Sequence, residues 1–177
     1  MSTLKPPINK ADHIEGNIEA PVTLVEFGDL QCPHCRRAYP IVKDIQKHFD
    51  QKLRFVFRHF PLQNAHPYAL PAAIATEAAG KHKKFWEMHD IIYERQDELD
   101  EISLFGFAAE IGLKMEEFRK DIMDDVLLRK VEADFESGIR SGVNGTPTFF
   151  INGEKHNADF EYDMLVLAIE QRMHERV

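Results

Sequence analysis

A chain of 177 residues with 44% hydrophobic and 29% charged residues is long enough for one folded domain, or for a domain that carries an insertion. The formal net charge of −8 argues against a nucleic-acid surface, and no stretch reaches the ~18 apolar residues that a membrane span needs. Residues 1–20 are polar and lack the apolar core of a secretory signal. We therefore expect a cytoplasmic protein, or a periplasmic one if a signal has been removed.

The apolar pattern predicts the order β-α-β, then a helical block, then β-β-α. Residues 1–20 are expected to form an extended lead, and Ser103 is expected to be the N-cap of a helix that Gly112 closes. Asn152-Gly153 predicts a two-residue hairpin turn. The predicted strands cover residues 22–27, 53–58, 148–151 and 154–156, and the predicted helices cover residues 33–49, 69–79, 85–92, 104–111, 131–139 and 162–173.

The only two cysteines, Cys32 and Cys35, lie between a buried strand and the start of a helix. A disulfide that closes so small a ring stabilises a fold little, so the pair indicates redox chemistry or metal binding. The positive end of the helix would stabilise a thiolate. We expect Cys32 to be the exposed, acidic nucleophile and Cys35 to be shielded and to resolve the mixed disulfide. Pro33 suits the first helical position, and His34 would lower the pKa of Cys32 further.

Two other interpretations of the cysteine pair are a zinc site and a pair of buried thiols without chemistry. Zinc needs about four ligands, and the sequence has no second Cys-x-x-Cys and no close histidine pair. The other eight histidines are scattered without ligand spacing. The strand before the pair and the helix after it favour redox chemistry, so we predict no metal.

Glu26 interrupts the apolar strand six residues before Cys32. Burying an ionised carboxylate costs several kcal/mol, so its pKa should be raised. Glu26 could then take the proton of Cys35, directly or through a water; the alternative is a carboxylate that points to solvent. Far along the chain, Thr146-Pro147 opens a second strand and is compatible with a cis peptide bond.

Cys-Pro-His-Cys after a strand, a helical insertion, and the segment from Gly145 to Gly153 together resemble the DsbA-like branch of the thioredoxin superfamily. The resemblance is to small bacterial domains that occur alone or fused to sodium/proton antiporter-like membrane proteins. It implies an α/β thioredoxin fold made by residues 1–61 and 126–177, with residues 62–125 as an inserted helical subdomain that caps the site.

The resemblance also implies roles for individual residues. Cys32 would attack and Cys35 would resolve, while a cis Pro147 packs against the pair. The Thr146 backbone would bind the substrate chain as an added strand. Glu26 falls at the position of the family's buried acidic residue.

These expectations define a thiol:disulfide oxidoreductase that acts on protein or small-molecule thiols and disulfides. It would need no cofactor beyond its own Cys32–Cys35 disulfide, with glutathione as a candidate electron partner. Two alternatives stay open: a glutathione-dependent isomerase or transferase on the same fold, and a non-enzymatic redox-sensing or binding module. The direction of electron flow stays open as well.

Overall fold

A mixed five-stranded sheet organises residues 2–175, which are the residues that the computed structural model describes. The strand order across the sheet is β1-β3-β2-β4-β5; β2 and β3 are parallel and the other neighbours are antiparallel. The strands are β1 His13–Gly16, β2 Val22–Gly28, β3 Leu53–His59, β4 Thr148–Ile151 and β5 Glu154–Lys155.

Strand β2 lies at the centre of the sheet and all seven of its residues are buried. Its alternate residues enter two apolar clusters on opposite faces, so that Leu24 packs in the larger cluster and Val25 in the smaller one. Burial on both faces explains the nearly continuous apolar run that predicted this strand. The predicted hairpin is also present: Asn152 and Gly153 have φ of 49° and 84°, as its turn requires, although β5 ends one residue before His156.

The described residues also form seven α-helices. Five of them lie between β3 and β4 and make up the inserted block. Helix α1 follows β2 directly and includes Pro40 without a break. The helices are α1 Pro33–Phe49, α2 Ala69–Lys81, α3 Phe85–Glu94, α4 Glu101–Glu110, α5 Met115–Asp121, α6 Asp125–Arg140 and α7 Tyr162–His174. None of the helices within residues 2–175 combines the length and the hydropathy that crossing a bilayer requires.

The predicted N-cap of α4 was wrong. Asp100 is the N-cap, and its carboxylate accepts a hydrogen bond from the backbone N–H of Ser103. The Ser103 hydroxyl in turn accepts one from the backbone N–H of Asp100 at 2.9 Å. The two residues form a reciprocal capping box, in which the aspartate takes the outer position and the helix begins three residues earlier than predicted.

The prediction of an extended lead over residues 1–20 missed strand β1, which pairs antiparallel with the outer edge of β3. A buried ion pair fixes this segment: Arg58 of β3 is 1% exposed, and its guanidinium donates to both carboxylate oxygens of Asp12 at 2.7 and 2.8 Å. Farther towards the N-terminus, Leu4 donates its backbone N–H to the carbonyl of Gly153. Residue 1 lies outside the described residues.

Helix α6, the last helix of the inserted block, is hydrogen-bonded to strand β3 of the sheet. Its Asp134 accepts a hydrogen bond from the backbone N–H of His59, and its Ser137 accepts one from Arg58, both residues of β3. Gly138 lets the helix approach closely, since a Cβ there would lie 2.5 Å from the ring of Phe60. The division into residues 1–61 with 126–177 and residues 62–125 stays a prediction, and residues 1, 176 and 177 of it lie outside the described residues.

Candidate active site

The two cysteines lie at the start of α1, where the sequence placed them. Cys32 is the N-cap and Cys35 is in the first turn, and both are free thiols. Cys35 is fully buried, as predicted. The expectation that Cys32 is exposed was wrong, because only 3% of the residue is accessible. Its Sγ lies against the carbonyl oxygen of Thr146, 3.6 Å away, so a segment 114 residues later covers it.

The environment of Cys32 lowers the pKa of its thiol from 9.0 to about 5. A hydrogen bond from the Cys35 thiol is the main cause. Burial opposes the shift, and the Thr146 side chain and the backbone N–H groups of Cys35 and His34 reinforce it. Donors that converge on a sulfur at a helix start stabilise its charged form. Cys32 is therefore a thiolate at neutral pH.

Cys35 has the opposite character. Burial raises the pKa of its thiol well above 9.0, and the hydrogen bond to Cys32 and the negative charges of Glu26 and Cys32 raise it further. The backbone N–H of Asp29 donates to Cys35 Sγ at 3.4 Å and acts in the opposite direction. The site thus holds one thiolate and one protonated thiol within a single helical turn.

Glu26 is buried within β2, with 3% of the residue exposed, which excludes the alternative of a solvent-facing carboxylate. Burial raises the pKa of Glu26 from 4.5 to about 8, and the negative charge of Cys32 adds to the shift. Gly28, two residues on along the same face, leaves room for this arrangement. A Cβ at Gly28 would lie 2.4 Å from the ring of Phe57 and 3.1 Å from Glu26 Oε1.

The remaining predicted site residues lie in two places, the segment just before β4 and the turn that carries the cysteine pair. Thr146 and Pro147 are half-buried at the start of β4, and the peptide bond between them is cis. Pro33 and His34 are exposed on the turn itself, with Pro33 at the helix start. It is the backbone N–H of His34 that lowers the pKa of Cys32, whereas the prediction had assigned this effect to the imidazole.

Side chains from the inserted block hold the active-site turn, and they were not predicted from the sequence. Gln96, in the short 3₁₀ turn Gln96–Glu98, donates to the carbonyl oxygens of Leu30 and Cys32 at 2.9 and 3.1 Å. Tyr93 donates its hydroxyl to the carbonyl of Asp29 at 3.4 Å. These contacts join residues more than 60 positions apart, so no local sequence pattern predicts them.

A second group of ionisable side chains is buried away from the cysteines. Among residues 2–175, His59, Glu77 and Asp134 are the one set placed closely enough to hold a metal ion, and neither cysteine belongs to it. The Glu77 carboxylate pairs with Nε2 of His13 and of His59 at 2.9–3.0 Å. Lys130 donates to Asp134 at 2.6 Å.

The two imidazoles lower the pKa of Glu77 although its burial opposes them. Histidines that looked scattered in the sequence thus converge here. Because donors from the protein already surround both carboxylates, the cluster is explained as an ion-pair network, and the absence of a metal stays a prediction.

The β-α-β and β-β-α halves, with a cysteine pair at the start of α1 and a cis-proline segment facing it, define a thioredoxin-type protein. A family model described as Thioredoxin matches residues 8–171, and the chain therefore belongs to this family.

Two curated relatives place the chain more closely. It is 42% identical over 158 residues to Na(+)/H(+) antiporter NhaA 1 of Salinispora arenicola, and 37% identical over 168 residues to Na(+)/H(+) antiporter NhaA of Herminiimonas arsenicoxydans. These matches cover 89% and 94% of this chain but only 24% and 27% of those proteins. The chain thus spans about a quarter of the length of the curated relatives it matches.

Solved structures agree on the fold. Oxidised BdbD from Bacillus subtilis superposes with a TM-score of 0.86 at 26% identity, over 98% of both chains. A thioredoxin-like oxidoreductase from Silicibacter pomeroyi gives a TM-score of 0.79 at 25% identity, over 96% of this chain and 95% of the other. Wolbachia pipientis alpha-DsbA1, at 24% identity, gives 0.84 over 96% and 94% of the two chains and shows the fold alone. The predicted thioredoxin fold and the resemblance to DsbA-like proteins are confirmed.

Proposed function

We propose that this chain is a thiol:disulfide oxidoreductase that works through the Cys32–Cys35 couple. The observation that carries the proposal is the contrast between the two thiols. Cys32 has a pKa lowered to about 5, and Cys35, one turn away, has a pKa raised well above 9.0. A stabilised thiolate is both the better nucleophile at neutral pH and the better leaving group, so exchange passes through Cys32.

The oxidising direction begins with the Cys32–Cys35 disulfide. A substrate thiolate attacks Cys32 Sγ, the S–S bond breaks, and Cys35 leaves with the electron pair and takes a proton. Glu26 supports this step because its raised pKa of about 8 lets it hold that proton at neutral pH. A second substrate thiolate then attacks the substrate sulfur of the mixed disulfide, and Cys32 leaves as a thiolate. The reducing direction is the same sequence in reverse.

We propose that the substrate chain lies along Thr146 and Pro147. The Thr146 carbonyl faces Cys32 Sγ, and the segment leads into β4, so an extended peptide could add to the backbone beside the reacting sulfur. Glutathione, a small thiol, is the proposed electron partner, and no other cofactor enters the proposal. The antiporter activity in the relatives' names belongs to proteins of which this chain spans about a quarter, and we propose none for it.

Two serine variants test the proposal with a disulfide-bonded polypeptide such as insulin as substrate. Cys32→Ser should abolish exchange, because the nucleophile is lost. Cys35→Ser should form a mixed disulfide with the substrate that persists, because nothing resolves it. Full activity of Cys32→Ser, or failure of Cys35→Ser to form any adduct, would contradict the proposal.

A further inference from the structure

The Asp29 carboxylate, three residues before the first cysteine, has the most hydrogen bonds of any side chain at the active-site turn. Its Oδ1 accepts from the backbone N–H of Gln31 at 2.8 Å and of Cys32 at 3.1 Å. Its Oδ2 accepts from the backbone N–H of Leu62 at 2.9 Å and from Nδ1 of His66 at 2.7 Å. The carboxylate is completely buried, whereas the His66 side chain is 20% exposed. One side chain thus joins the turn to the segment that leads into the inserted block.

The backbone of the same residue touches the resolving cysteine. The N–H of Asp29 donates to Cys35 Sγ at 3.4 Å, and among the described contacts it is the only backbone donor to that sulfur. Cys35 has to become a thiolate before it can attack, in a fully buried position where water cannot stabilise the charge. The direction of this one N–H therefore bears on how readily the charge forms.

We propose that Asp29 and His66 are a positioning pair for the resolving step: the His66-bound carboxylate fixes the turn so that the Asp29 N–H meets the Cys35 sulfur as it becomes negative. The inference rests on the proposed function. Its chemical setting is the mixed disulfide between Cys32 and glutathione. The Cys35 thiol loses its proton to the ionised form of Glu26, its thiolate attacks Cys32 Sγ, and the bond to the glutathione sulfur breaks. Glutathione leaves as a thiolate and takes up a proton, and the Cys32–Cys35 disulfide remains.

Direct contact with a sulfur favours the resolving step: the Asp29 N–H donates to Cys35 Sγ at 3.4 Å, whereas the Asp29 carboxylate meets Cys32 only at its backbone N–H. The groups that lower the pKa of Cys32 are the Cys35 thiol, the Thr146 side chain and two backbone N–H groups, and the Asp29 carboxylate is not among them. At Cys35, by contrast, the hydrogen bond from the Asp29 N–H is the one influence that lowers the pKa. A disturbance of Asp29 should therefore act mainly on the second step.

The test substitutes Asp29→Asn, which keeps one acceptor oxygen for the N–H groups of Gln31 and Cys32. The new amide N–H₂ would face two donors, from Leu62 and His66, so the turn loses half of its anchoring. The control is Asp44→Asn, which removes an exposed carboxylate that pairs with Lys47 farther along α1. Reduced protein is mixed with oxidised glutathione and quenched with acid, and mass spectrometry follows the glutathione adduct and the intramolecular disulfide with time.

A hydrogen bond to a charged group stabilises that charge strongly. Misaligning the Asp29 N–H should therefore slow the attack of Cys35 and lengthen the adduct's lifetime by about tenfold or more. Asp29→Asn should show this increase, while its rate of Cys32 alkylation keeps the pH midpoint of the unsubstituted protein and of Asp44→Asn. His66→Ala should lengthen the lifetime in the same way. His66→Gln should restore it, because the glutamine amide can donate to the same carboxylate oxygen.

An adduct lifetime in folded Asp29→Asn equal to that of the unsubstituted protein would overturn the inference. If Asp29→Asn fails to fold by circular dichroism, the His66 variants decide, and equal lifetimes in His66→Ala and the unsubstituted protein would overturn it. Failure of the proposed function would look different, because the unsubstituted protein would then form neither a glutathione adduct nor an intramolecular disulfide.

Discussion

Substituting Glu26 by glutamine removes a buried ionisable carboxyl group near the cysteine pair, while it keeps the shape of the side chain. Burial raises the pKa of Glu26 from 4.5 to about 8, so the folded protein holds a proton there that the unfolded chain releases. The stability that protonated Glu26 gives the folded state is fully present below pH 4.5, and it is lost as the pH rises towards 8. The complete loss corresponds to about 5 kcal/mol, and at pH 7 it amounts to about 3 kcal/mol.

Urea unfolding of the reduced protein and of Glu26→Gln at pH 5, 7 and 8 measures this loss. The lowered pKa of Cys32, about 5, has the opposite effect on the free energy of unfolding: the stability that Cys32 contributes increases as the pH rises over the same range. The informative quantity is therefore the difference between the two proteins, because the titration of Cys32 that both share is subtracted from it. We expect the stability of Glu26→Gln relative to the unsubstituted protein to rise by about 3–4 kcal/mol between pH 5 and pH 8.

Glu136→Gln, on the exposed face of α6, is the matched control, and it should change the free energy of unfolding by less than about 0.5 kcal/mol. A constant difference between Glu26→Gln and the unsubstituted protein from pH 5 to pH 8 would contradict a raised pKa of Glu26 in the folded protein. Glu26 would then titrate alike in the folded and unfolded chains, and it would not hold the proton of the resolving thiol at neutral pH.

Two further predictions concern the reactive sulfur and the packing of α6. Alkylation of Cys32 by iodoacetamide should reach half of its maximal rate near pH 5, and a midpoint above pH 8 would show that the thiolate is not stabilised. Gly138→Ala should lower the free energy of unfolding by about 1–3 kcal/mol, because the new Cβ would lie 2.5 Å from the Phe60 ring. Its control is Gly106→Ala in α4, where no atom lies within 4 Å and a gain of about 0.5–1 kcal/mol is expected. Equal effects of the two substitutions would contradict the described packing.

The elements that sequence predicted best are those whose burial alone decides their residue types. Strand β2 is covered on both faces and reads as a continuous apolar run, and the helix after it begins with Pro33 in the position that proline favours. Strand β1 had no such signal. His13 to Gly16 lacks an apolar alternation, and the segment is a strand because it pairs with the free edge of β3. Tertiary pairing, and not local propensity, forms it.

The site shows the same division between local and distant causes. The cysteine pair and the buried Glu26 lie within ten residues of one another, so their strand-turn-helix setting was visible in the sequence. The burial of Cys32 was not, because the group that covers it is the Thr146 segment. Asp29 carried a weak local signal as an acceptor just before a helix start, but its partner His66 comes from the approach to the inserted block.

A redox titration of Cys32 and Cys35 against glutathione buffers tests whether the two sulfurs act as one redox couple. Free thiols are alkylated after an acid quench, and mass spectrometry counts them at each ratio of reduced to oxidised glutathione. We expect one two-electron transition between dithiol and intramolecular disulfide. Because the thiolate of Cys32 stabilises the reduced form, its midpoint should be more oxidising than the about −270 mV of thioredoxin. A Cys32 that only carries glutathione, or a pair that stays dithiol at every ratio, would contradict the proposed function.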